Sequence, residues 1–242
     1  MNGIKEALEY IVGMRKPEIV EVNGESYTDK ELTRIIHNPK ADEIKMSTLT
    51  SLVEYIKSNI DEMEEKMIVH VVSPTDIHLY SSLDWDRRRE YMVHVSHSVP
   101  QFDFGEFIEH EIFCINIQSK FVKDDETDRE LILKFAGTVE DGTVAQYGDD
   151  GVAQKATVKT GISSKTDAVV PNPVRLRPYR TFPEVEQPAS DFIFRMKSDK
   201  YNGIQCAVFE ADGGAWKNEA MENIKKYLRA ELTGLERFTV IS

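Results

Sequence analysis

The spacing of apolar residues changes repeatedly along the chain, and each change marks an element or a boundary. The opening "MNGIKEALEYIVGM" has the helical period and predicts an amphipathic helix ending near Gly13. A strand-like "EIVEV" then meets Asn23-Gly24, a pair that favours a tight hairpin turn, and "ESYTD" supplies the returning strand. After Pro39, "MSTLTSLVEYIKSNIDEM" carries Leu49, Leu52, Val53, Ile56 and Ile60 at helical spacing, with Ser47 or Thr48 placed to cap the first turn. These elements predict a small α+β unit over 1–64, with 65–242 as the main domain.

From residue 66 the period shortens. "KMIVHVVS", "DIHLYSSL" and "REYMVHVSH" are strand-like runs separated by Ser73-Pro74 and the polar "DWDRRR", the pattern of a β-meander. In "DFGEFIEHEIFCINIQSKFV", Asp103 can cap a helix that sets Phe104, Phe107, Ile108, Ile112, Ile115 and Val122 along one side. This predicts a largely buried helix over 104–121, the spine of the main core. Beyond an acidic stretch at 123–130, "ELILKFAGTV", "GTVAQYG", "AQKATVKTGI", "VRLRPYRTF", "DFIFRMK" and "IQCAVFEAD" read mostly as strands. "AWKNEAMENIKKYLRAEL" returns to the helical period, with Trp216, Ala220, Ile224, Tyr227, Leu228 and Leu232 on one stripe and Gly234 as its stop. "RFTVI" supplies a last strand. Strands gathered around a few helices, without regular alternation, predict an α+β fold: mixed or antiparallel sheets, a buried central helix and a C-terminal amphipathic helix.

Composition adds limits on partners. With 242 residues the chain can bury a real core without disulfide staples, and Cys114 and Cys206 sit in apolar runs expected to hold them reduced. No apolar stretch approaches the about 20 residues of a membrane span, and no cleavable leader is legible, so a cytoplasmic protein is expected. The formal charge of -12 disfavours polyanions unless positive charge is gathered locally. It is gathered between Gly151 and Phe182: Lys155, Lys159, Lys165, Arg175, Arg177 and Arg180 face one acid, Asp167, a local +5 that leaves about -17 elsewhere.

Motifs for catalysis are weak. Five of six histidines, His70, His78, His94, His97 and His110, fall in one window. However, His94 and His97 are an odd number apart on a predicted strand and point to opposite faces. "EHE" at 109–111 diverges around a helix, so a metal site, and a metal hydrolase built on it, is the weakest reading. There is no G-x-S-x-G elbow, no catalytic-cysteine setting and no P-loop. "ADGGAW" at 211–216 reads as a tight strand-to-helix connection with Asp212 as its cap. A non-enzymatic protein without a cofactor is expected.

The stretch from Val169 to Ser190 holds five of the nine prolines, Pro171, Pro173, Pro178, Pro183 and Pro188. Each removes a backbone donor and fixes a dihedral, so the segment suits an edge or arm that loses little entropy on docking. Arg175, Arg177 and Arg180 alternate with Val174, Leu176 and Tyr179, an arrangement that seats apolar groups while guanidinium groups face outward. Three readings stand side by side: a rigid loop paired with the chain's own acids, an arm docked on a neighbouring subunit, and a pocket for a phosphate-bearing ligand. For the last two the candidate residues are Arg175, Arg177, Tyr179, Arg180, Lys155 and Lys159.

The runs "YGDDGVAQKATVKTGI", "VPNPVRLRPYRTFPEVEQPASDFIFRMK" and "AVFEADGGAWKNEAMENIKKYL" resemble the YfdQ-like phage and prophage family, a domain of unknown function. The similarity extends to "NPKADEIKMSTLTSLVEYIK" and "SPTDIHLYSSLDWDRRREYMV" and is densest over 138–230. The resemblance implies a viral origin and a bacterial host's cytoplasm, and brings no catalytic residues. The leading expectation is a phage accessory protein that acts as a homo-oligomer through its basic arm. The alternative is capture of an anionic ligand, single-stranded nucleic acid or a nucleotide signal of antiviral defence, with Tyr179 available for base stacking.

Overall fold

The computed structural model describes residues 2–13, 17–28, 40–145, 155–159, 165–169, 171–199 and 201–242. They form two compact units, Met1–Ala41 and Asp42–Ser242. In the first, α1 (Asn2–Gly13) precedes an antiparallel hairpin of β1 (Ile19–Val22) and β2 (Glu25–Thr28). Asn23 and Gly24 join the strands with φ of 55° and 84°, the two left-handed residues that this turn demands. Residues 42–64, expected to belong with this unit, lie in the larger one, where Leu49, Leu52, Val53 and Ile56 are buried in its core.

The larger unit has an α+β fold. Its first layer is a mixed five-stranded sheet. The meander β4 (Met67–Ser73), β5 (Asp76–Ser81) and β6 (Tyr91–Ser96) is antiparallel as predicted. It is flanked by two parallel edge strands, β3 (Ile44–Met46) beside β6 and β14 (Phe238–Ile241) beside β4. Alternate residues Val69, Val71, Ile77, Leu79, Val93 and Val95 are fully buried. They share a core with α2 (Leu49–Ser58) and α5 (Trp216–Glu231). Thr48 caps α2 by accepting the Ser51 N–H at 3.2 Å.

The second layer is an antiparallel sheet ordered β11 (Val174–Leu176), β12 (Ser190–Asp199), β13 (Gly203–Glu210), β7 (Ile108–Glu109). Phe192, Phe194, Cys206 and Val208 pack with Phe113, Ile117 and Phe121 of α3 (His110–Lys120) and its end, and with Ile132 of α4 (Arg129–Thr138). A separate antiparallel sheet joins β8 (Val139–Ala145), β9 (Lys155–Lys159) and β10 (Lys165–Val169). Both cysteines are free, and burial pushes the Cys206 thiol far up. No helix among the described residues is long and apolar enough to cross a membrane.

Two sequence expectations fail here. The helix predicted over 104–121 begins only at His110, and Ile112 and Ile115 are 55% and 57% exposed. The residues before it are taken by a turn and by β7, which pairs with β13; Gly105, at φ 83°, donates its N–H to the Val208 carbonyl at 2.8 Å. The run "ELILKFAGTV", read as a strand, forms α4 up to Thr138. A short apolar run carries no decisive period, and here Ile132, Phe135 and Ala136 turn inward on the helical spacing.

The proline-studded segment straps the two layers together. Phe182 inserts fully buried into the first core, and the Thr181 hydroxyl donates to the Pro74 carbonyl in the β4–β5 turn at 2.6 Å. Gln187 fills the inside of the strap: its Oε1 accepts the Arg180 and Thr181 N–H groups at 2.9 and 3.1 Å, and its Nε2 donates to the Phe182 carbonyl at 2.9 Å. Glu184 receives the Thr50 N–H on the first turn of α2, and the Glu186 carbonyl accepts from Asn223 on α5. On the other side, Tyr179 donates its N–H to the Lys120 carbonyl and Val122 donates to the Arg177 carbonyl. Prolines remove donors that this irregular path could not all satisfy, and Gln187 accepts two of those that remain.

Candidate functional site

Where the strap passes between the layers, a cleft of about 650 Å³ opens. Its walls come from the β4–β5 turn, the segment 99–104, the end of α3, the strap residues Pro178–Arg180, the end of β13 and the first turn of α5. Its aromatic side chains are Phe102, Phe104, Tyr179 and Trp216. Its cations are Lys120, Arg180 and Lys217, and its acids Asp103 and Glu210, so the lining carries one more positive than negative charge in a chain of net -12.

Arg180 lies at the base of this site and is 6% exposed. Its Nη1 meets Glu210 Oε1 at 3.1 Å, and its Nη2 donates to Ser190 Oγ and to the Pro188 carbonyl. Ser190 passes the interaction on by donating to Asp212 Oδ2 at 2.6 Å. Burial lowers the Arg180 pKa to about 10, against the opposing pull of Asp212, Glu210 and Glu219, so the group stays charged at neutral pH. Burial also works to raise Asp212, but the Ser190 hydroxyl, the Gly214 and Trp216 amides and the charge of Arg180 outweigh it and hold the carboxyl below its usual range. Asp212 thereby closes the strand-to-helix connection by accepting the Gly214 and Trp216 amides, while the helix N-cap itself falls at Ala215. Gly213 and Gly214 make that connection with φ of 62° and 82°, a turn that strongly favours glycine.

The Trp216 ring covers the Arg180 guanidinium, with its centroid 4.1 Å from Cζ, and Lys217 Nζ lies 5.8 Å from the same ring. A partly desolvated cation–π contact of this kind stabilises by about 0.5–2 kcal/mol. The Trp216 Nε1–H is itself enclosed without an acceptor, as is the Arg180 Nε–H. An unpaired buried donor costs about 1–3 kcal/mol, so the two effects on the indole are of similar size and opposite sign.

The other candidates from the sequence lie elsewhere. Arg177 is held by three carboxylates, Asp124 at 3.0 Å, Glu126 at 3.3 Å and Glu186 at 3.5 Å. Arg175 is half-exposed and meets Asp191 at 3.4 Å. Lys155 and Lys159 sit on β9, in register with Val169 and Lys165 of β10, and their side chains lie outside the described residues. The structure thus brings together Tyr179 and Arg180 of the six. Each of the arm's three arginines is paired with an acid of its own chain. Lys120, Trp216, Lys217, Phe102 and Phe104 were missed as site residues. The only sequence signal for them was aromatic residues beside Pro100 and beside the Gly213-Gly214 turn.

The histidine window holds a different surprise. His70, His78 and His94 stand side by side across β4, β5 and β6 because the meander register pairs them in turn. The His78 and His94 rings stack at 4.4 Å, and Glu43 lies 3.9 and 4.0 Å from their Nδ1 atoms. Among the described residues no group of three or more His, Cys, Asp or Glu side chains is arranged to hold a metal ion.

Compared with protein-family models, curated proteins and solved structures, the chain matches none. The functional reading therefore rests on this geometry.

Proposed function

We propose that the protein is a binding protein whose cleft captures a small anionic ligand bearing a flat ring, the chemistry of a nucleotide. The observation that carries this reading is the lining itself: cations outnumber acids within a strongly acidic chain, and they are interleaved with four aromatic side chains. Ligand sites typically enclose about 300–1,000 Å³, and this volume suits a single nucleotide. A polymeric strand fits less well. Binding a long polyanion calls for a positive groove that tracks several nucleotides, whereas this cleft exceeds its own acids by a single cation on a chain of net -12. In the phage setting implied by the family resemblance, such a protein would act as an accessory factor in the host cytoplasm, sequestering a nucleotide signal.

Calorimetric titration with nucleoside monophosphates and with short single-stranded oligonucleotides, at low and at high salt, tests this reading. The expected result is salt-sensitive binding of the mononucleotide that is lost in Lys120→Glu/Lys217→Glu protein. Absence of binding by every mononucleotide at low salt overturns the proposal, and oligonucleotide binding alone replaces it with strand capture.

A further inference from the structure

The Trp216 ring stands where two cations converge. Its electron-rich face meets two cations, Arg180 at 4.1 Å and Lys217 at 5.8 Å, and a ring quadrupole is a weaker partner for a cation than a full negative charge. Beneath it Arg180 is 6% exposed and keeps one N–H, on Nε, without an acceptor. The indole N–H is enclosed without one as well. Trp216 stands on the first turn of α5, after the left-handed pair Gly213 and Gly214, and lines the cleft. In this position the ring closes the guanidinium face toward the cleft. The enclosed indole N–H and the covered guanidinium both belong to this one contact.

Resting on the cleft reading above, we propose that Trp216 is a placeholder that closes the empty site, and that the phosphate group of the ligand enters by displacing it from Arg180. The phosphate oxygens then meet Arg180 and Lys217, while the displaced indole is free to donate its N–H or to stack on the ligand's ring. Glu210 and Asp103 line the cleft beside this group, and Asp212 and Glu219 also act on Arg180; Lys120 and Lys217 offset part of that negative charge. The phosphate is the discriminating feature: a nucleoside lacks the charge needed to compete with the ring.

The chain has two tryptophans, so Trp85→Phe leaves Trp216 as the sole indole reporter. In that background adenosine monophosphate and inorganic phosphate are expected to change the emission of Trp216, and adenosine is not. Trp216→Ala is expected to tighten inorganic phosphate about two- to thirty-fold, the equivalent of one cation–π contact removed. Trp216→Phe, which retains a ring but no N–H, serves where the alanine variant does not fold, and is expected to tighten phosphate less. Calorimetrically proven binding with unchanged Trp216 emission overturns the placeholder while leaving the cleft reading standing. Weaker phosphate binding in a folded Trp216 variant overturns it too, by making the ring a fixed platform. No binding by any of the three probes overturns both.

Discussion

Arg177 and Arg180 stand close together on the same strap, and the sequence gives no reason to treat them differently. In the structure each leaves its Nε–H without an acceptor, and each meets carboxylate. What differs is the rest of the surroundings. Arg177 reaches two exposed acids, Glu126 and Glu186, and the largely covered Asp124. Arg180 turns inward beneath a tryptophan, and its open side belongs to a cleft. A basic residue neutralised by carboxylates maintains the fold, whereas one neutralised in part by a ring keeps an interaction in reserve.

That contrast can be broken by substitution. The largest effect is expected from Arg180→Met, which leaves Glu210 and the Ser190–Asp212 pair without their buried cation and should cost about 3–5 kcal/mol in urea unfolding. A loss below about 1 kcal/mol would place Arg180 with the surface arginines. Acid titration comes next. Because Asp212 titrates below its ordinary value of 3.8, it stabilises the fold above that value, and the contribution is lost as pH falls through its folded-state pKa. Asp212→Asn should therefore lower stability at neutral pH and flatten the decline on the acid side, measured as unfolding midpoints from pH 7 to 3. Arg177→Ala is expected to cost about 1–3 kcal/mol, of which high salt removes only a part, because Glu126 and Glu186 are exposed while the 3.0 Å pair with Asp124 is largely covered. Arg175→Ala is expected to stay within about 0.5 kcal/mol, since its pair with Asp191 is half-exposed on both sides.

The legible parts of this fold were those with a long, unambiguous period. The helices α2 and α5 and the β4–β5–β6 meander follow directly from apolar spacing and from the Ser73-Pro74 break. Two failures came from short or aromatic-rich runs: "ELILKFAGTV" folds as α4, and Phe104, expected on a helix, packs instead against Phe102 in a loop, with ring centroids 4.8 Å apart. The site was less legible because its partners are distant in sequence. Arg180 meets Glu210 across 30 positions and Arg177 meets Glu126 across 51, distances at which charge counting along the chain has no power. The histidines show the same limit. His94 was compared with its sequence neighbour His97, whereas its ring partner is His78 on the adjacent strand. Reflecting "MIVHVVS" and "DIHLYS" about the turn they flank would have paired His70 with His78, as the register does.

The most direct measurement is nitrogen-detected NMR of the labelled protein titrated with adenosine monophosphate, following the side-chain N–H signals of Trp216, Arg180 and Arg177. The account predicts that the Trp216 indole and the Arg180 Nε–H signals move together and saturate while that of Arg177 stays in place. Movement at Arg177 alone, or no movement at any of the three, would contradict it.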